Sequence, residues 1–209
     1  MKFNVPYYAQ SSDFTCGPAC VLMVMKHFDP SLRLGRALEF EVWRQCNMIG
    51  IKGADPYGLS VPLSNAGYEV HLTTQRKGIA KYRPWKRRLR RIFSREEIEL
   101  SFFGMRENKR RAMARHLPVK YERPLVEDFA REIKDGFVPI ALVHMGVVHS
   151  LNIPHWVVVT GADGEIQFND PYPPKGRKGL KLSHLRFQKI LDDIATRIGL
   201  SPSVLYVRK

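Results

Sequence analysis

"HWVVVTGADGEIQFNDPY", residues 155–172, holds two runs rich in β-branched and aromatic residues on either side of Gly-Ala-Asp-Gly. Such runs, joined by a glycine-bounded turn, predict a β-hairpin. With Gly161 and Gly164 as the outer turn residues, counting back along both strands sets His155 opposite Asp170. Opposed residues on antiparallel strands have Cβ atoms about 4.5–5.5 Å apart, close enough for an imidazole N–H to reach a carboxylate. A glycine bulge at the turn moves that register by one.

Outward from the hairpin, "PLVEDFAREIKDGFVPIALVHM", 124–145, reads as a helix with Leu125, Phe129 and Ile133 on one face, a stop at Gly136, and a strand. "PYGLSVPLSNAGYEVHL", 56–72, repeats that order, with Gly67 as the stop. Between them, "RKGIAKYRPWKRRLRRIFSR", 76–95, carries no acidic residue, and "KRRAMAR", 109–115, is a second basic cluster. Trp85, Leu89, Ile92 and Phe93 fall at helical spacing, with Pro84 suited to a first turn, so a basic amphipathic helix is expected. The chain then reads as one α+β domain, 1–209, with a basic insertion at about 74–123.

Composition narrows the function classes. A 209-residue chain with 44% hydrophobic content can bury a substantial core. No stretch reaches the roughly 18 apolar residues of a spanning helix, and "MKFNVPYYAQ" lacks a signal peptide's apolar centre, so a cytoplasmic protein is expected. Three cysteines, Cys16, Cys20 and Cys46, are too few and too odd for a disulfide framework. The 34 Lys and Arg against 20 Asp and Glu, net +14, point to partners of negative charge: an acidic peptide or protein first, nucleic acid or an anionic membrane surface as alternatives.

In "AQSSDFTCGPACVLMVMKHF", 9–28, Gly17-Pro18 breaks a polar loop and opens an apolar helix, which puts Cys16 beside unsatisfied N–H groups at the helix start. The helix dipole favours a thiolate there, and a neighbouring imidazolium can take a cysteine pKa from about 8.5 to roughly 3.5–7.5. Gln10, six residues upstream, can fold its amide towards the same helix start and, with the Cys16 N–H, supply two donors to an oxyanion. A lone cysteine is more often a small buried residue, and that reading is kept for Cys20 and Cys46. Cys16, Cys20 and a histidine lack the paired spacing of a zinc site, so no metal or cofactor is expected. His144 and His149 are expected to be loop or edge-strand histidines, Asn169 is the alternative orienter to Asp170, and Trp156 is expected to pack beside the base.

Gln10 with Cys16-Gly-Pro-Ala-Cys20, followed by His155-Trp-Val-Val-Val-Thr-Gly and Asn169-Asp-Pro, resembles the papain-like cysteine peptidases of the bacteriocin-processing, double-glycine-leader type. The resemblance covers residues 5–28 and 136–172 and implies a papain-like fold, its nucleophile helix packed on an antiparallel sheet. It further implies Cys16 as nucleophile, His155 as base, Asp170 as orienter, Gln10 in the oxyanion hole, and cleavage of a peptide or isopeptide bond through a thioester. Such peptidases usually front a transporter, so a separate transporter or ligase is an implied partner here. An acyl or peptidyl transferase of the same fold stays open, as does a non-catalytic basic module.

Overall fold

In a computed structural model, residues 2–77, 89–173 and 176–209 are described. Among these, seven strands form one sheet with the order β4-β3-β9-β5-β6-β7-β8. The strands are β3 (Glu69–Thr74), β4 (Val119–Lys120), β5 (Val138–His144), β6 (Pro154–Asp163), β7 (Glu165–Asn169), β8 (Leu180–Leu182) and β9 (Ser203–Arg208). A separate small ribbon pairs β1 (Asn47–Met48) with β2 (Ile51–Ala54). The α+β class holds, but the main sheet is mixed: β3 and β4 run parallel, Leu72 beside Val119, while every other pair is antiparallel.

Alternation along the central strands divides the core in two. On β5, Val138, Ile140 and Leu142 join one apolar cluster while Ala141 and Val143 join the other; on β6, Trp156 and Val158 oppose Val157 and Val159 in the same way. Both faces are therefore apolar and both need cover. Helices α1 (Cys16–Phe28) and α3 (Pro56–Asn65) lie on the first face, and α5 (Glu127–Lys134) and α6 (His184–Asp193) on the second. Phe129, Ile133, Phe187, Ile190 and Leu191 are fully buried there, and each stabilises the fold by roughly 1.5–3 kcal/mol.

Local sequence accounts for the element ends. Asp55 caps α3 by accepting from the Tyr57 and Gly58 N–H groups at 3.0 and 3.1 Å, and Pro56 occupies the first turn. Gly67 and Gly136 carry φ of 81° and 88° and stop the helices before β3 and β5 as expected. Leu125 departs from its expected place: α5 begins at Glu127, so Leu125 precedes it and is exposed, while Phe129 and Ile133 face the core.

Most of the expected basic helix, including Pro84, Trp85, Lys86 and Arg87, lies outside the described residues. Beyond it, Leu89 is buried and Ile92 is exposed, so the two do not share a buried face. Lys109 to Met113 of the "KRRAMAR" cluster close α4 (Arg95–Met113), with Ala114 and Arg115 just past its end; the helix opens with a Ser94/Glu97 capping box. Asn108 ties that helix down by donating to the Asp55 carboxylate at 2.6 Å and to the Cys46 and Asn47 carbonyls at 3.2 and 3.1 Å. Helix α2 (Arg36–Cys46) packs against both α1 and α3.

Candidate active site

Cys16 is the first residue of α1, whose Gly17–Met25 stretch is entirely buried against the sheet. Gly17 lets that helix start approach β6: a Cβ there would stand 2.9 Å from Leu59 Cδ2 and 3.2 Å from Trp156 Cδ1. The backbone N–H groups of Gly17 and Trp156 and the side chain of His155 surround the Cys16 thiol. Burial pushes the thiol up, yet the His155 charge, its hydrogen bond and the two N–H groups outweigh that and bring the pKa below its ordinary 9.0.

His155 donates from Nε2 to Asp170 Oδ1 at 2.8 Å, which leaves Nδ1 for the thiol. Burial alone would lower the imidazole, but the Cys16 charge and the hydrogen bond and charge of Asp170 hold it up at about 9. Burial would likewise raise Asp170. The His155 bond and charge, the Tyr172 N–H at 2.9 Å and a bond from His149 instead keep it below 3.8. The shifts thus favour the charged forms together: the thiolate of Cys16, the imidazolium of His155 and the carboxylate of Asp170 each lower the cost of the next.

The hairpin reaches this contact by a different register from the expected one. The turn is tighter, centred on Gly164 with φ 73°, so Asp163 pairs with Glu165 and β6 runs past Gly161. A bulge between Val159 and Gly161 then sets Val158 against Asn169. Asp170 stands just beyond the end of β7 and turns back to His155, with Tyr172 N–H closing an Asx turn on the same oxygen that faces the imidazole.

Asn169 takes no part in that bond. Its Nδ2 donates to the Val5 carbonyl at 3.2 Å and its Oδ1 accepts from the Gly179 N–H at 2.9 Å. His144 is buried between Asn152 and the Gly146 N–H, at 2.9 and 3.2 Å. His149 corrects the sequence reading. Expected as a loop or edge-strand histidine outside the site, it ends a short helical turn and places Nε2 2.5 Å from the second Asp170 oxygen, with its ring 5.1 Å from that of Tyr172. No periodicity marks it, since its direction is set by the short turn Gly146–His149 and the left-handed Ser150 that follows.

Gln10 is 3% exposed in the loop before α1. Its backbone N–H donates to the Pro171 carbonyl at 2.9 Å, which joins the loop to the Asp170 turn. Its side-chain Nε2 donates one hydrogen to the Ser12 carbonyl at 2.9 Å, leaving the second for another acceptor. Cys20 and Cys46 are fully buried free thiols, both pushed well above 9.0, chiefly by that burial. Among the described residues, no group of three or more His, Cys, Asp or Glu is placed to hold a metal ion.

A cleft of about 400 Å³ opens beside the thiol. Its walls are mostly apolar, with Phe14, Met48, Leu142, Trp156 and Leu200 among them. Trp156, the neighbour of His155, is fixed in that wall by its indole N–H, which donates to the Ala54 carbonyl at 3.1 Å.

A helix-borne thiol, a strand-borne imidazole and a turn-borne carboxylate thus meet on one α+β frame. The chain belongs to the Peptidase_C39 like family, whose model matches residues 5–188. Among curated proteins nothing matches it. No helix of the described residues is long and apolar enough to cross a membrane.

Proposed function

We propose that the chain is a cysteine peptidase of papain-like fold, one domain over 1–209 with a basic insertion at about 74–123, acting on a peptide or isopeptide bond in a reduced, cytoplasmic setting. The observation that carries this reading is the placement of the Cys16 thiol beside His155, which is itself hydrogen-bonded to Asp170 at 2.8 Å. The Cys16 thiolate attacks the scissile carbonyl carbon, and the carbonyl electron pair moves onto oxygen. The Gln10 amide and the Cys16 N–H hold that oxyanion. As it collapses, the C–N bond breaks, His155 gives its proton to the leaving amine, and a Cys16 thioester remains. His155, now neutral, takes a proton from water; the hydroxide adds to the thioester and expels the thiolate.

The cleft supports a substrate with an apolar side chain next to the scissile bond, and the net charge of +14 supports acidic residues further off. The double-glycine-leader specificity and a transporter or ligase partner belong to the same proposal. Incubation of wild type and Cys16→Ala with a mixed peptide library, read by mass spectrometry, tests it. Cleaved products from wild type alone support hydrolysis. Amine adducts in their place identify a transferase, and equal product sets from the two proteins overturn the reading.

A further inference from the structure

Glu39 lies on α2, away from the site, and is fully buried. Its carboxylate accepts the Ser11 N–H on both oxygens, at 2.9 and 3.2 Å, and the Tyr8 hydroxyl on Oε2 at 3.1 Å. Burial, then the charge and hydrogen bond of Glu39, push the Tyr8 phenol up to about 12, so it remains a donor at working pH. Gln10 stands between these two anchored residues in a stretch with no helix or strand of its own. Besides the Gln10 N–H, which donates to the Pro171 carbonyl at 2.9 Å, the other hydrogen bonds of the loop's 10–15 turn are local: Gln10 Nε2 and Thr15 Oγ1 both donate to the Ser12 carbonyl, and the Ser12 N–H donates to Thr15. Gln10 Oε1 is buried without a hydrogen-bond partner, so the amide's own contacts hold it by one end only.

We infer that Glu39 is a positioning residue for the oxyanion hole: it holds the Ser11 backbone on one side of Gln10 and the Tyr8 side chain on the other, and with the Gln10 N–H to Pro171 carbonyl bond fixes where the amide donor points. This rests on the proposed role of Gln10. A buried carboxylate is costly unless hydrogen-bonded, and here both of its partners come from the one loop that carries the donor. A displacement of about 1 Å in such a donor costs on the order of 10²-fold in rate.

Two electrophiles separate this role from a general effect on the thiol. Iodoacetamide alkylates sulfur with loss of iodide and forms no oxyanion. p-Nitrophenyl acetate is attacked at its carbonyl, passes through an oxyanion and releases p-nitrophenolate. The ratio of acylation to alkylation rate at Cys16 is measured for wild type, Gln10→Ala, Glu39→Leu, Glu39→Gln and Tyr8→Phe. The ratio should fall about tenfold or more in Gln10→Ala and Glu39→Leu, recover to within about threefold of wild type in Glu39→Gln, which keeps an acceptor for Ser11, and fall severalfold in Tyr8→Phe. A fall in Gln10→Ala with a wild-type ratio in Glu39→Leu overturns the inference and leaves the proposed mechanism standing. A wild-type ratio in Gln10→Ala overturns both. Should Glu39→Leu not fold, Tyr8→Phe decides, and an unchanged ratio there overturns the clamp.

Discussion

Asp170→Asn tests how far the carboxylate, rather than the thiol, sets the acidity of the base. The wild-type oxygen is 2.8 Å from His155 Nε2, and both side chains are buried, so little solvent screens the pair. An opposite charge at such range moves a pKa by roughly 1–3 units. Its removal should take His155 from about 9 down to ~6–8, a loss of about 1.4–4 kcal/mol of preference for the imidazolium. The asparagine can keep its oxygen towards His155 and the Tyr172 N–H. Its nitrogen then faces His149, which must accept where it had donated. Because the imidazolium in turn holds the thiolate, the Cys16 pKa should rise in the same variant. Ring-proton NMR titration of His155 and thiolate absorbance of Cys16 read the two values separately. A His155 midpoint unchanged in Asp170→Asn would refute the argument, since the carboxylate would then contribute no charge to the base.

The pH dependence of turnover should be bell-shaped, rising as the Cys16 thiolate forms below its ordinary range and falling near the His155 value of about 9. Since the His155 value is raised on folding, its contribution to stability is full below about 6.5 and is lost as pH climbs through about 9, which thermal melts at pH 6 and 9.5 will detect. Timed iodoacetamide labelling should modify Cys16 at neutral pH while Cys20 and Cys46, buried and raised well above 9.0, remain protected; equal rates in the folded protein would sink the nucleophile assignment. Gly17→Ala should lower stability by roughly 1–3 kcal/mol and slow Cys16 labelling, because the new Cβ presses on Leu59 and Trp156; a variant with wild-type Tm and labelling rate would show that the close approach is not needed. His149→Ala should cost activity and His144→Ala only stability, since Asp170 is bonded by the first and not the second; the reverse ranking in assays of folded variants would refute the assignment.

The parts of the site that follow from local pattern were legible in the sequence. Gly17-Pro18 announces a helix start and so the exposed N–H groups behind Cys16, and β-branched runs announce the strands that bring His155 near Asp170. The register was not legible, because it depends on a bulge and a tighter turn at Gly164 that composition does not encode. Leu125 and Ile92 match a helical period and are nevertheless exposed, since the period fixes a face but not where the helix begins. Glu39 lies in "RALEFEVWRQC", where a glutamate is ordinarily a solvated residue; its burial comes from tertiary packing, with Tyr8 and Ser11 of the Gln10 loop as its hydrogen-bond partners. His149 is a product of the same kind of tertiary placement, its partner 21 residues away across a strand pair.

β9, the last strand in the chain, lies inside the sheet between β3 and β5, and it alone joins the β3–β4 side to the β5–β8 side. On a ribosome the order of events is thereby fixed. Cys16 emerges early, the hairpin with its base and acid much later, and the strand that makes the sheet continuous last. Through most of synthesis the nascent polypeptide carries a thiol of ordinary acidity, with no imidazolium beside it and no finished cleft. The lowered pKa of Cys16 is thus a property of the folded chain alone, present once His155 and the Trp156 N–H stand beside the thiol.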